Sequence, residues 1–301
     1  MIKKAKIISV DTDPVSYHYN SEPRGSKDYV LSRSDLMEFY HCPQRWIKGY
    51  REKETNAKKY GSIIDCYILD RYRFSDKYAA APKGYFNEKE GKDKPWNWNA
   101  TICKEWRDIQ QGKIIIKIED LVACEKALDS ICKDEIINNL INHSDKQVMI
   151  TAVWQSDNLQ IPLKTLIDLV PRRQSNFNQY LCDFKTCKNA SPSQWSREVY
   201  RYGYHVQAAF YIDMYYAATG EARDGFVHIL QESFAPYEVG RRLLSEEFIE
   251  LGRQIYQEAL KKYCECWRKN IWPGYDDDSR NNIDGFTICE PESWMIGGKE
   301  L

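Results

Sequence analysis

Between Gln147 and Lys185 the chain carries three strand-like runs, and a strong helix start comes directly after them; this succession leaves few folds open. Gln147 to Trp154 and Gln160 to Val170 alternate or run apolar around a turn at Ser156-Asp157-Asn158, the pattern of a β-hairpin, and Tyr180 to Lys185 is a third short strand. Ser191 then stands as a helix N-cap with Pro192 at the first helical position and Gln194 to complete a capping box. The spacing predicts a helix to about Ala218, ended by Gly220. Gly225 to Gln231 reads as another strand, and Ser245 to about Lys269 as an amphipathic helix carrying Phe248, Leu251, Ile255, Ala259 and Tyr263. Strands alternating with helices in this order predict an α/β fold with a mixed central sheet flanked by helices.

The N-terminal half reads as helical. Ser32 with Asp35 three positions on looks like an N-cap, and Pro43 splits the segment up to Trp46 and Ile47 into two short helices. A further helix is expected from Lys58 to Tyr72, with Gly61, Asp65 and Leu69 beside an apolar stripe, which would let Asp65 face inward. Pro82 to Trp98 reads as a loop and residues 99–143 as helices. Residues 1–30 form an N-terminal extension expected to pack on the body, residues 31–274 one main domain, and residues 275–301 a surface tail.

Composition sets limits. With 43 basic and 44 acidic residues among 301, no bulk charge announces a nucleic-acid partner, so any DNA site must be a local basic patch. No apolar run is long enough for a membrane span, and the stretch Met1 to Val10 is too short for a secretion signal. Ten cysteines at irregular spacing then read as reduced thiols, and a cytoplasmic protein is expected.

The chemistry concentrates on the third strand. Asp183 and Lys185 project to the same face, roughly 7 Å apart, while Phe184 points into the opposite layer. Asp168, near the end of the preceding strand, is placed to bring a second carboxylate within about 5 Å of Asp183. Adjacent carboxylates repel unless one takes up a proton or both share a cation, and magnesium is the hard ion that suits them. A bare Asp-x-Lys triplet occurs by chance in a chain of this length; its setting between an acid-bearing strand and a capped helix is what gives it weight. On that helix Gln207 and Tyr211 lie one turn apart, as do Tyr200 and Tyr204, with Arg197 and Arg201 nearby. These side chains could wall a DNA groove, or the rings could fill the core boundary while the arginines are solvated.

Four motifs now resemble one family. Gly61-Ser62-Ile63-Ile64-Asp65, Leu166-Ile167-Asp168, Asp183-Phe184-Lys185-Thr186 and the run from Tyr202 to Tyr211 are similar in order and spacing to the C-terminal nuclease domain of RecE-type exonucleases, within the PD-(D/E)xK superfamily. Gln207 to Tyr211 also resembles the Q-x-x-x-Y element of RecB-like nucleases. The resemblance implies a restriction-endonuclease-like core and a magnesium-dependent exonuclease, with manganese as a substitute, that digests linear duplex DNA from the 5′ end. The 3′ single strand left behind would serve an annealing recombinase, and a ring-shaped oligomer such as a tetramer is implied. Asp168 and Asp183 become metal ligands, the Phe184 carbonyl a further ligand, Lys185 the catalytic lysine, and Gln207, Tyr211 and Tyr204 active-site groups. Family members usually carry histidine where this chain has Asp65, which would make Asp65 a third carboxylate ligand or leave it a polar helix residue. Cys42-Pro43 with Arg45 and Trp46 resembles a RecB-like segment that holds an iron-sulfur cluster in some members. Cys264, Cys266 and Cys289 have unsuitable spacing, and structural thiols are the better reading. Two rivals remain: a RecB-like endonuclease or single-strand nuclease of defence or repair, and a nuclease-like module that binds DNA without cutting it. Clustered carboxylates repel phosphate, which argues against the second.

Overall fold

The computed structural model describes residues 1–50, 55–277 and 282–291. Its centre is a six-stranded sheet: β1 (Ile2–Ser9), β2 (Ser144–Ser156), β3 (Leu159–Pro171), β4 (Tyr180–Cys187), β5 (Gly225–Glu232) and β6 (Val239–Leu243), side by side in chain order. All neighbours are antiparallel except β4 and β5, so the sheet is mixed, as the alternation of elements predicts. β2 and β3 form the expected hairpin, closing at Ser156 opposite Leu159 around Asp157 in the left-handed region (φ 50°).

Helices cover both faces. Five of them position the site: α1 (Arg33–His41), α2 (Asn56–Leu69), α3 (Pro192–Arg201), α4 (Tyr204–Thr219) and α5 (Glu246–Lys269). β4 shows why its charged residues lie where they do. Leu181 joins the apolar layer shared with α1, α4 and α5, while Cys182 and Phe184 join the layer beneath α2. Strand alternation then puts Asp183 and Lys185 on the α4 side. The parallel step from β4 to β5 requires a crossover, which α3 and α4 supply. α5 rests on the start of α4 at Gly252, where an added Cβ would overlap the His205 carbonyl group.

Several expectations needed correction. The helix expected from Ser191 to Ala218 is two helices, because Gly203 adopts φ 65° and breaks the chain direction between Arg201 and Tyr204. Ser191 is the N-cap, but it makes no side-chain cap bond, and Gln194 donates to Glu198 at 3.1 Å instead of completing a capping box. The box at Ser32 and Asp35 does form. The helix expected from Lys58 to Tyr72 ends at Leu69, since buried Asp70 stands at the break and accepts from Arg73 at 3.0 Å, and Arg71–Lys77 begins a separate helix. Part of the expected loop is a hairpin, Gly84–Asn87 with Lys92–Pro95, and within the expected helical region Ile114–Lys117 is a strand parallel to Tyr78–Ala81. β1 and β6 are edge strands that the sequence reading did not assign. Of the tail, Asn282–Ile283 pairs with Phe286–Thr287, while residues 278–281 and 292–301 lie outside the described residues. Among the described residues no helix is long and apolar enough to cross a membrane.

Candidate active site

β3 and β4 pair at a single point, Leu169 with Cys182. Continued by one step, that register sets Asp168 opposite Asp183, but there the strands part and a side chain replaces the ladder: Asp168 Oδ2 accepts the Phe184 N–H at 3.0 Å. Because N–H and C=O of one strand residue point the same way, the Phe184 carbonyl also turns toward β3. Asp183 is 1% exposed. Its Oδ1 accepts from Gln207 Nε2 of α4 at 2.7 Å, and its Oδ2 is ion-paired with the Lys185 ammonium. Lys185 Nζ lies 5.3 Å from the centre of the Tyr204 ring, which is itself stacked on Trp195 at 5.4 Å.

Asp65 reaches this centre from the other side of the opening. α2 can approach β4 closely because Gly61 has no side chain; a Cβ there would sit 3.2 Å from Thr186 Oγ1. One turn later Asp65 is directed inward, and its Oδ1 is buried without a hydrogen-bond partner. Burial lifts the Asp65 carboxyl to about 7, with the Asp183 charge adding to the rise and Lys185 opposing it. Burial and then the neighbouring Asp183 charge push Asp168 well above the usual carboxylate range. For Lys185, burial opposes the charge, but Asp183 and Asp168 overcome it and hold the ammonium above its ordinary value. The group is therefore short of positive charge for three carboxylates.

A cavity of about 590 Å³ opens on these residues, and Asp65, Asp168, Asp183, Lys185, Gln207 and Tyr211 all line it. Arg197 and Arg201 do not: both are exposed on α3, outside the cavity wall. Tyr204 is half-buried beneath Lys185, not part of the cavity lining. Of the lining residues that the sequence reading missed, three bear on the acidic group or the mouth of the cavity. His18 belongs to the turn Pro14–His18, which Lys164 holds in place through its bonds to the Tyr17 and Tyr19 carbonyls at 2.6 and 3.0 Å. Gln147 lies in β2 with φ 47°, and its Nε2 approaches Asp168 Oδ1 at 3.4 Å. Arg33 opens α1 and donates to Gln207. A sequence signal existed only for Arg33, as a basic residue inside a recognised capping box.

Among the described residues no three His, Cys, Asp or Glu side chains form a ready-made metal cage. The donors themselves are hard oxygens, and the unpartnered Asp65 Oδ1 is an acceptor in need of a cation, so the residues present fit a magnesium-type ion by chemistry. Cys42, Cys264 and Cys266 are buried and Cys289 is exposed.

Comparison with known proteins bears on the fold that carries these residues. A family model described as a PDDEXK-like domain of unknown function (DUF3799) matches residues 32–280. The chain belongs to that family. A solved structure from Eubacterium rectale, described as "Putative exonuclease", aligns over 96% of this chain and 98% of that one with a TM-score of 0.55. At 15% identity that likeness concerns the fold alone. No curated protein matches the chain.

Proposed function

We propose that this PDDEXK-like domain is a metal-dependent nuclease that hydrolyses phosphodiester bonds of DNA. The observation that carries the reading is the parting of β3 and β4 at the point where Asp168 and Asp183 face each other, with Lys185 paired to Asp183 in one cavity. Asp65, Asp168, Asp183 and the Phe184 carbonyl would hold a divalent ion. When bound, such an ion neutralises phosphate charge and acidifies a water. Gln207 fixes the orientation of Asp183 through its 2.7 Å bond, and Tyr204 supports Lys185 from below. Lys185 orients the attacking water and stabilises the charge that develops on the phosphate. Tyr211, 7% exposed, closes the apolar side of the cavity and limits water around the reacting group.

At a finer level we propose a magnesium-dependent 5′-to-3′ exonuclease on linear duplex DNA, active in the cytoplasm as a ring-shaped oligomer and leaving 3′ strands for an annealing recombinase. The RecE-like motifs support this, and the name given to the E. rectale protein bears only on the exonuclease part. The test is digestion of linear duplexes labelled at the 5′ or the 3′ end, beside a circular duplex, in magnesium or EDTA. Progressive loss from the 5′ end, with the circle intact and no reaction in EDTA, is expected. Equal cutting of the circle would replace the exonuclease reading with an endonuclease, and no cleavage in magnesium or manganese would overturn the nuclease itself.

A further inference from the structure

Three long cationic side chains line the cavity: Lys77, Lys185 and Arg33. Lys185 is paired with Asp183, and Lys77 with Asp13 at 2.6 Å and Asp70 at 3.6 Å. Arg33 has no carboxylate partner among the described residues. Its Nη2 donates to the neutral amide of Gln207 at 3.3 Å, and its Nε is buried with no acceptor. A guanidinium stays charged at any physiological pH and presents a planar fork of donors matched to two oxygens of one anion. Leaving such a donor buried and unmatched is costly, and unlike Arg223 and Arg242, whose Nε is also buried and unmatched, Arg33 lines the cavity, where an anion would match it.

The position of Arg33 identifies that anion. Gln207 accepts from Arg33 through its oxygen and donates to Asp183 through its nitrogen, so one amide separates the guanidinium from the carboxylate pair. The phosphate under attack belongs against Asp168 and Asp183. An anionic group held one amide further along the same cavity would be the next phosphate of the same strand. Resting on the nuclease reading above, we propose that Arg33 clamps the phosphate adjacent to the scissile one, with Gln207 setting the spacing between clamp and carboxylates. The substrate is then a strand bearing at least two phosphates, recognised by its backbone and not by its bases.

Oligodeoxynucleotides with a single neutral methylphosphonate, moved one linkage at a time, test the clamp by fluorescence anisotropy without added metal. For the wild type, one linkage near the cleavage position should weaken binding by about tenfold when neutralised, the size expected of a charge-assisted arginine contact. Arg33→Ala should bind the natural strand about tenfold more weakly and lose its sensitivity at that linkage alone. Its affinity should also fall less steeply with salt, by roughly one unit of slope. Arg33→Lys, which keeps the charge but not the fork, should lie between. An Arg33→Ala protein that binds like wild type, or that keeps the wild-type profile across all linkages, overturns the clamp. Cleavage of the same strands in magnesium is scored separately: a wild type that binds with the expected profile and never cuts would sink the nuclease reading and leave Arg33 as a contact to one backbone phosphate with no scissile neighbour.

Discussion

Replacing Asp65 by asparagine should make the metal-free protein more stable above neutral pH, although the substitution removes a group from the candidate site. The reason lies in where the Asp65 proton goes. Its carboxyl titrates at about 7 in the folded protein, against 3.8 for an ordinary aspartate. Between those values the folded chain keeps a proton that the unfolded chain has released, so stability falls as pH rises through this window and the full penalty is present above about pH 7. A difference of about 3 units, at about 1.36 kcal/mol each, amounts to up to about 4 kcal/mol. Asparagine keeps the shape and stays neutral, so the variant should escape this part of the decline. Asp168, also lifted, leaves a residual slope in both proteins. Urea unfolding in EDTA at intervals from pH 4 to 8 measures the effect. The two proteins should be similar at the acid end and diverge progressively in favour of Asp65→Asn. Saturating magnesium should raise the wild type more than the variant at pH 8, because an ion that binds only the folded state stabilises it by mass action. Curves that stay parallel across the range, or a variant less stable than wild type at pH 8, would refute the reasoning.

Three further outcomes are expected. Asp183→Asn should lower cleavage by at least about a hundredfold while DNA binding is kept or tightened, since one charge that repels phosphate is gone; gel-shift and cleavage assays on one preparation decide it. Lys185→Ala should slow single-turnover cleavage by about a hundredfold or more yet leave magnesium affinity, measured by calorimetry, nearly intact, and equal loss of both would contradict its role toward the water. Gly252→Ala should destabilise the fold by at least about 2 kcal/mol, because the new methyl group meets the rigid backbone of His205; an unchanged melting temperature would show that α5 can shift freely against α4.

The central sheet and the acidic residues were legible because strand periodicity is a strict constraint. Once Tyr180 to Lys185 is a strand, Asp183 and Lys185 must share a face and Phe184 must take the other, and the hairpin before it brings Asp168 alongside. Gly61 likewise announced where α2 would approach the sheet and so where Asp65 would look. The edge strands were not legible. β1 carries Lys3, Lys4 and Lys6, and β6 carries Arg241 and Arg242, because an edge has one partner, exposes its other side and gains from charge that discourages further pairing. The break at Gly203 was hidden because a single glycine within a helical run is often tolerated, and the residues beyond it are buried nearly all round and so carry no stripe whose phase would betray the change. His18 and Gln147 join the cavity through tertiary packing and a left-handed backbone angle, neither of which leaves a periodic trace.

The parallel pairing of β4 with β5 has a kinetic side. Asp183 gains its strand neighbour only after the two crossover helices have formed and folded back, and β1 meets β2 only across the whole helical insert. The contacts of Arg33 with Gln207 and of Lys164 with the Tyr17 carbonyl are remote in sequence, whereas those of Asp168 with Phe184 and of Gln207 with Asp183 are short in sequence; closing the long loops is the slower part of such a topology. By this topology Asp168, Asp183 and Lys185 share one local strand pair, and Asp65 joins them only through the docking of α2 from far earlier in the chain.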